Sequence, residues 1–475
     1  MPRGRLSLLA LLTSLGAASL IPYGYALWLR DLRLNTIPFE WAFFAAFGLY
    51  ALAAWLVLQA APPATWRVML LIFGFAILFR AILVFSSPTL SDDMYRYVWD
   101  GRVQAHQINP YAYPPAAPEL ARLRDGTIWP HINRKAVVTV YPAGAELAFA
   151  ALWRIWPDNV HWFQAVMVGG DLMAAVLLVF LLRALGRPPQ AVLIYLWNPL
   201  VIFEIAHSAH VDGLVLPCLV GAWLARTKGR DTLTGLLLGV AASLKLYPVL
   251  LLPVLWRRHD ESGRIRPAWR MPLAFLVGLG LPYLPYLAIG QSVLGFLPQY
   301  FSEQFNAVLT APIAYLVYVT GGKRPDLIIN PLIAAVLLII YLACLYRPAA
   351  QAETALRRLL WPIGAFTLLT QNLYPWYLLW LVPLLAIFLP ARQAESPTNL
   401  ARRLLHTSWT GWWLFSGLIT LAYTFYIHGW PNLTATFTEV IPLYEFLVID
   451  LARWLRDRFR LARSRRLPAC RTQIS

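Results

Sequence analysis

The stretch "SDDMYRYVWDGR" (Ser91–Arg102) decides how this chain is read. It stands directly after about twenty almost purely apolar residues, 67–86, and places three Asp, two Arg, two Tyr and one Trp in twelve positions. An apolar run of that length crosses a bilayer core of roughly 30 Å, so the charge begins where a membrane span ends. The segment has no Pro or Gly before Gly101, and Ser91 can cap it, which predicts a short helix. At helical spacing Asp93, Arg96, Tyr97 and Asp100 share one face. Asp92 and Asp93 lie near the positive N-terminal end of that helix, which keeps a carboxylate ionised. Such a carboxylate can take a proton from a hydroxyl or bind a divalent cation. The alternative is a capped interfacial helix held by Asp–Arg pairs.

Apolar runs recur on both sides of this segment, at about 6–29, 39–60, 67–86, 141–156, 160–183, 190–206, 210–226, 232–256, 271–290, 305–320, 327–346, 357–372, 374–390, 405–428 and 436–452. Some are short or carry Pro, so about 11–14 full crossings are expected of an all-α, polytopic transmembrane helical protein. Composition agrees: 59% of the residues are hydrophobic, 13% are charged, and mean hydropathy is +0.56. A soluble domain carries roughly 25% charged residues. The 21 Trp and 22 Tyr suit interfacial belts or the stacking of sugar faces. The net charge of +17 comes largely from short loops and the C-terminal segment, including 257–270 and 453–466. There it sets topology and meets anionic lipid rather than nucleic acid. Cys218, Cys344 and Cys470 offer neither a disulfide framework nor a metal-site spacing.

Counting positive charges places Arg3, Arg5, Arg226–Arg230, Arg257–Arg270 and the C-terminal Arg cluster in the cytoplasm, and Ser91 outside. The expected organisation is N-terminal spans over 1–86, an extracytoplasmic loop over 87–140, a helical bundle over 141–452 and a basic cytoplasmic tail over 453–475. The first run continues past signal-peptide length to about Leu29, so it reads as an uncleaved span. Residues 232–256 would begin and end on the cytoplasmic side. They contain Lys245 and Pro248, so a re-entrant or broken helix is expected there.

Ionisable residues inside apolar runs are costly and therefore informative. "NPLVIFEIAHSAHVDGL" carries Glu204, His207, His210 and Asp212. The two His, at i and i+3, are compatible with one helix face. Hydrogen bonding to a sugar or acceptor, a structural network and a metal site are the open readings. Lys245 in "ASLKLYPVLLLP" needs an anion, for which a lipid phosphate is suitable, and Tyr247 lies beside it. Asp171 sits mid-span and is expected to pair inside the bundle. "QNLYPWYLLWLVP" brings Tyr374, Trp376 and Tyr377 between Pro breaks.

"DDMYRYVWDGRVQAHQINPYAYPP", followed by "VTVYPAGAE", resembles the GT-C superfamily of polytopic glycosyltransferases, and most of all its bacterial mannosyltransferase branch, which uses polyprenyl-phospho-mannose. The Glu204–His–Asp212 run and the Lys-x-Tyr-Pro pattern at Lys245 follow in the family's order, over roughly Asp92–Pro383. The resemblance implies that Asp93 is the catalytic base, with Asp92 the runner-up and Asp100 orienting Arg96 or the sugar. It further implies a substrate site that includes Arg96, Tyr97, Arg102, Asn109, Tyr111, Tyr141, Glu204, His207, His210, Asp212, Lys245, Tyr247, Tyr374, Trp376 and Tyr377. No cofactor is required, although Mg or Mn at Asp92 and Asp93 is possible because some of these enzymes use one. Relatives carry a His pair where this chain has Trp376–Tyr377, and His428 is a candidate replacement. The implied reaction is inverting transfer of a hexose, mannose in this branch, from the polyprenyl-phosphate donor to a lipid or glycan acceptor at the extracytoplasmic face of the inner membrane. A lipid-linked-sugar transporter or flippase would share the charged cavity but predicts inverted repeats. An oligosaccharide ligase or polymerase predicts a larger late loop and more Arg.

Overall fold

The computed structural model describes residues 7–60, 65–257, 262, 264, 266–300, 303, 309–346, 349, 351–391, 400–405, 407–424, 440–453 and 456. They form an all-α multi-pass membrane fold, with no strand among the described residues. His428 and most of the basic C-terminal segment lie outside them.

Three long helices open the chain: α1 (Leu8–Leu29), α2 (Thr36–Gln59) and α3 (Trp66–Val84). The first is capped by Ser7, whose hydroxyl accepts from the Ala10 amide at 3.2 Å. The charged segment follows as α4 (Asp93–Ala105), then come α5 (Ala143–Ile155) and α6 (Val160–Ala184). The connection after α1 and the one after α3 meet at one end of the bundle, where the Leu32 amide donates to the Thr89 hydroxyl at 2.9 Å. His161, at the start of α6, contacts the Val84 carbonyl at 2.8 Å and so joins the same end. Helix α4 lies against α5, with Tyr97 stacked on Phe149 at 4.5 Å. The approach is close enough that a Cβ at Gly101 would come within 2.6 Å of the Phe149 carbonyl.

The next apolar run is bent by 60° between Pro189–Leu196 and Pro199–His207. Its last turn, Phe203–His207, is π-helical, a local widening that is frequent at functional sites. Helix α7 (Asp212–Thr227) leads away from the α4 end and α8 (Asp231–Leu244) returns. Helix α8 stops at Lys245, which adopts extended dihedrals; the short helical pieces Tyr247–Leu251 and Leu252–Leu255 run back. Arg257 then pairs with Asp231, the first residue of α8, so both ends of 231–257 lie together. The reversal expected from Lys245 and Pro248 is therefore in the fold. Helix α9 (Arg270–Gly280) lies tightly on α8: a Cβ at Gly235 would overlap the Met271 carbonyl.

Further helices include α10 (Asp326–Tyr346), Leu360–Leu369 and Ser408–Leu418. Six helical stretches are long and apolar enough to cross a membrane, seven with the bent pair, among the described residues. Among the described residues, the other apolar runs are not single long helices. Pro and polar residues divide the remaining runs into shorter pieces, as at Pro375–Leu378 and Val382–Phe388.

Candidate active site

Helix α4 does not cross the bundle. It lies over its end and forms one wall of a cavity of about 830 Å³. The start of α4 supplies Asp92, Asp93, Arg96 and Tyr97; the loop before α5 supplies Asn133, Arg134 and Tyr141. Lys245 and Tyr247 enter from the break after α8, and Tyr374, Trp376 and Tyr377 from the Pro-broken segment. Val249, Leu250, Ile333, Leu337 and Phe366 line an apolar part of the same cavity. Carboxylate, amine and aromatic groups thus share one space with a hydrocarbon surface.

Asp93 is in the first turn of α4, where its amide meets the Ser91 hydroxyl at 3.3 Å. The structure makes Asp92 the residue before the helix, and Asp92 uses its carboxylate on Arg33 at 3.1 Å instead of capping. Asp93 Oδ1 accepts from the Asn133 side-chain amide at 2.8 Å. Its side chain keeps 24% exposure and opens to the cavity. Burial pushes its carboxyl above the usual value, while the Asn133 hydrogen bond and the charges of Lys245 and Arg134 pull the other way. Of the two carboxylates, Asp93 is free of a salt-bridging Arg and is raised toward the basicity that proton abstraction needs.

Arg96 is 4% exposed and lies against Asp100, its Nε 2.9 Å and 3.0 Å from the two carboxylate oxygens. Asp100 is held away from the cavity by this pair and by a hydrogen bond with Glu146, which also takes the Thr139 hydroxyl at 2.7 Å. Asp100 therefore orients Arg96. Lys245 bonds to Asp212, which is fully buried at the N-terminus of α7. The anion the sequence demands for Lys245 is thus present within the chain, and the amine still borders the cavity. Tyr247 also reaches Asp212, at 3.4 Å.

The residues between the bent run and α7 separate. Ala209 takes the left-handed φ of 54°, rare for a residue with a Cβ and a mark of strain that functional sites retain. It breaks the helical phase, so the one-face expectation for His207 and His210 does not hold. His207 turns to Ser86 at 2.7 Å and to the Thr89 amide at 3.2 Å, and so secures the α3–α4 connection. His210 turns to the site: its ring stacks on Trp376 at 4.0 Å, with Nδ1 3.8 Å from Asp93 and Nε2 3.2 Å from Glu204. Glu204 in turn accepts from the Tyr423 hydroxyl at 2.9 Å and 3.1 Å.

Besides Asp100 and His207, three more expected site residues lie outside the cavity lining. Arg102 has rotated past the α4 site face and pairs with Asp125 at 2.7 Å and Asp158 at 2.8 Å, which closes the loop onto α4. Asn109 accepts from the Tyr111 amide at 3.0 Å, and Tyr111 donates to the Tyr141 carbonyl at 2.8 Å and packs on Tyr286. These last two shape the loop. Conversely, Arg33, Asn133, Arg134, Tyr300 and Tyr423 border the cavity without having been singled out.

Asp92 is occupied by Arg33, Asp93 by Asn133, and no group of three or more His, Cys, Asp and Glu side chains among the described residues could hold a metal.

Comparison with known proteins follows the geometry. Residues 5–258 match the family described as alpha-(1->6)-mannopyranosyltransferase, N-terminal domain. The chain is 24% identical over 356 residues to alpha-(1->6)-mannopyranosyltransferase A of Mycobacterium tuberculosis, a match covering 67% of this chain and 65% of that protein. It is 31% identical over 135 residues to GPI mannosyltransferase 1 of Eremothecium gossypii, covering 26% of this chain and 34% of that protein. Each match spans less than two thirds of the relative's own length.

Proposed function

The chain belongs to the alpha-(1->6)-mannopyranosyltransferase family, and from that premise we propose that it is an inverting membrane mannosyltransferase. The donor is a polyprenyl-phospho-mannose, and the acceptor is a hydroxyl of a lipid or glycan at the extracytoplasmic face. The observation that carries this reading is the make-up of the cavity: one carboxylate freed for base chemistry, one ammonium and a hydrocarbon wall in a single space. The donor has the matching parts, a sugar, an anionic phosphate and a prenyl tail.

The chemistry follows from those parts. Asp93 takes the proton of the acceptor hydroxyl, whose oxygen attacks the anomeric carbon from the face opposite the phosphate. The bond to the phosphate oxygen breaks, and its electron pair leaves with the prenyl phosphate. Lys245 and Arg96 meet the growing negative charge, which needs no proton to depart. Single displacement inverts the anomeric centre, so a β-linked donor gives an α-linked product. Tyr374, Trp376 and Tyr377 offer ring faces to the sugar or the first prenyl units. The apolar side chains at 249–250 and 333–337 take the tail.

The test is transfer of labelled mannose from synthetic polyprenyl-phospho-mannose by the purified protein, with membrane lipids and lipid-linked glycans as acceptors. Transfer supports the reading. Movement of intact labelled lipid across a vesicle, with no transfer, replaces it with a transporter. Within that assay, Lys245→Gln lowers kcat about 100-fold, the scale of removing one donor to a developing anion. The same variant strips Asp212 of its partner and lowers thermal stability. Lys245→Gln/Asp212→Asn regains the stability and stays slow; if it regains the rate, Lys245 serves the fold alone.

A further inference from the structure

Two ion pairs border the cavity beside Asp93, and stability does not account for them. Arg33 meets Asp92 at 3.1 Å, and Arg134 pairs with Glu303. Asp93 stands between the two. Asp92 is its neighbour in the chain, and Asn133, which bonds Asp93 Oδ1 at 2.8 Å, is the neighbour of Arg134. The four side chains are between 29% and 40% exposed. Pairs as wet as these contribute little to folding. Arg134 nevertheless adopts a left-handed φ of 49°, a backbone conformation that is costly for a residue with a Cβ. The guanidinium so placed lies over the rings of Phe296 and Tyr300, each 5.7 Å away, and borders the cavity with them. Those rings are held in turn. The Phe296 amide donates to the Thr139 carbonyl at 2.9 Å, and the Asn372 side-chain amide donates to the Tyr300 carbonyl at 3.1 Å. The Tyr300 and Tyr377 hydroxyls meet at 2.6 Å. Strain and anchoring together preorganise a polar surface next to the catalytic carboxylate.

We propose that Arg33–Asp92 and Arg134–Glu303 form the acceptor subsite, and that the group they take is a neutral sugar ring; this rests on the transferase reading above. Charge chooses that class first. Each pair is neutral, so neither offers the net positive charge that a phosphate seeks, and the carboxylates of Asp92 and Glu303 repel one. The phosphate belongs to Lys245 and Arg96. Hydrogen-bonding capacity chooses it second. Each pair sets N–H donors beside carboxylate acceptors, which matches a vicinal diol, whose hydroxyls donate and accept at once. An acceptor with a single hydroxyl on a hydrocarbon would cover these groups and leave them unpaired, which is costly. A sugar ring held between the two pairs has a hydroxyl at Asp93, the residue that lies between them in the site.

The test compares two acceptors that share one alkyl chain: an alkyl mannoside, and an alkyl ethylene-glycol ether that ends in a lone hydroxyl. Wild type uses the mannoside better in kcat/KM by about 100-fold or more. Arg134→Gln and Glu303→Gln each raise the mannoside KM about tenfold, the scale of one charged hydrogen bond. Both leave the donor KM within about twofold and narrow the preference for the mannoside over the ether. Arg134→Lys keeps the charge but loses the planar fork, and falls between wild type and Arg134→Gln. Asp92→Asn, in the other pair, acts in the same direction, so the result does not hang on the folding of one variant. A rise in donor KM in place of the acceptor KM gives the pairs to the phosphate and overturns the proposal. Equal use of ether and mannoside by wild type overturns it too. So does a loss of thermal stability with both KM values unchanged, which leaves the pairs to the fold. No transfer by wild type to any acceptor would instead remove the transferase reading itself.

Discussion

Asp93→Asn abolishes transfer to within about 10³–10⁴-fold of wild type, the full scale of a positioned general base, while the purified variant unfolds at a higher temperature. Both halves follow from one environment. Burial raises the carboxyl of Asp93 above its ordinary value. The folded state therefore holds a proton on Asp93 more tightly than the unfolded chain does. The stability this contributes is present below the unfolded pKa and is lost as pH rises through the folded one. At neutral pH the ionised Asp93 is a cost that an amide does not carry. Asn retains an oxygen for the Asn133 amide donor. Catalysis has the opposite need, since only the ionised form abstracts a proton. The wild-type kcat thus climbs with pH through a value above the ordinary carboxylate range, and stability declines across the same interval. Transfer rates and thermal unfolding measured side by side from pH 4 to 8 check the coupling. A variant that is inactive and also markedly less stable would mean that Asp93 holds the fold. A fully active one would move the base to another residue.

Much of this site is legible in the sequence, and the legible part has a common cause. Asp93, Lys245, Glu204 and His210 stand out because a charge in or beside an apolar run is expensive and must have a reason. The reversal at Lys245 is read the same way, from a cation and Pro248 where a helix would otherwise continue. Partnership across the chain is what the sequence withholds. Arg102 looks as available as Arg96, being on the same short helix, until the fold brings Asp158 from 56 positions away. The helical spacing of His207 and His210 assumes an unbroken helix. Ala209 breaks it with a left-handed dihedral that carries no glycine signal. Asn133 and Tyr423, which touch Asp93 and Glu204, sit in stretches whose composition gives no hint of a site.

Arg80→Met destabilises the protein by about 3–5 kcal/mol, the cost of stranding a buried charge by removing its partner. Arg80 and Asp171 are both fully buried and bonded to each other, one from α3 and one from α6. Arg80 also donates to the Leu196 carbonyl at 2.9 Å and the Ala76 carbonyl at 3.0 Å, and Asp171 accepts the Tyr195 hydroxyl. The pair thereby ties two spans to the end of the first half of the bent run. Trp197, two residues after Tyr195, adds a 2.9 Å hydrogen bond to the Ile72 carbonyl on α3. From that anchor the chain continues through the π-helical turn to Glu204 and His210. Neither Arg80 nor Asp171 borders the cavity, so their effect on the site is through the placement of that turn. Asp171→Asn leaves the guanidinium with its two carbonyl acceptors and so costs less than Arg80→Met. Arg80→Met/Asp171→Asn leaves no charge behind and costs less than Arg80→Met alone. Thermal unfolding in detergent of the two single variants and the double variant measures the coupling. Single effects that simply add in the double variant would refute a charge-stranding origin and leave packing alone as the cause.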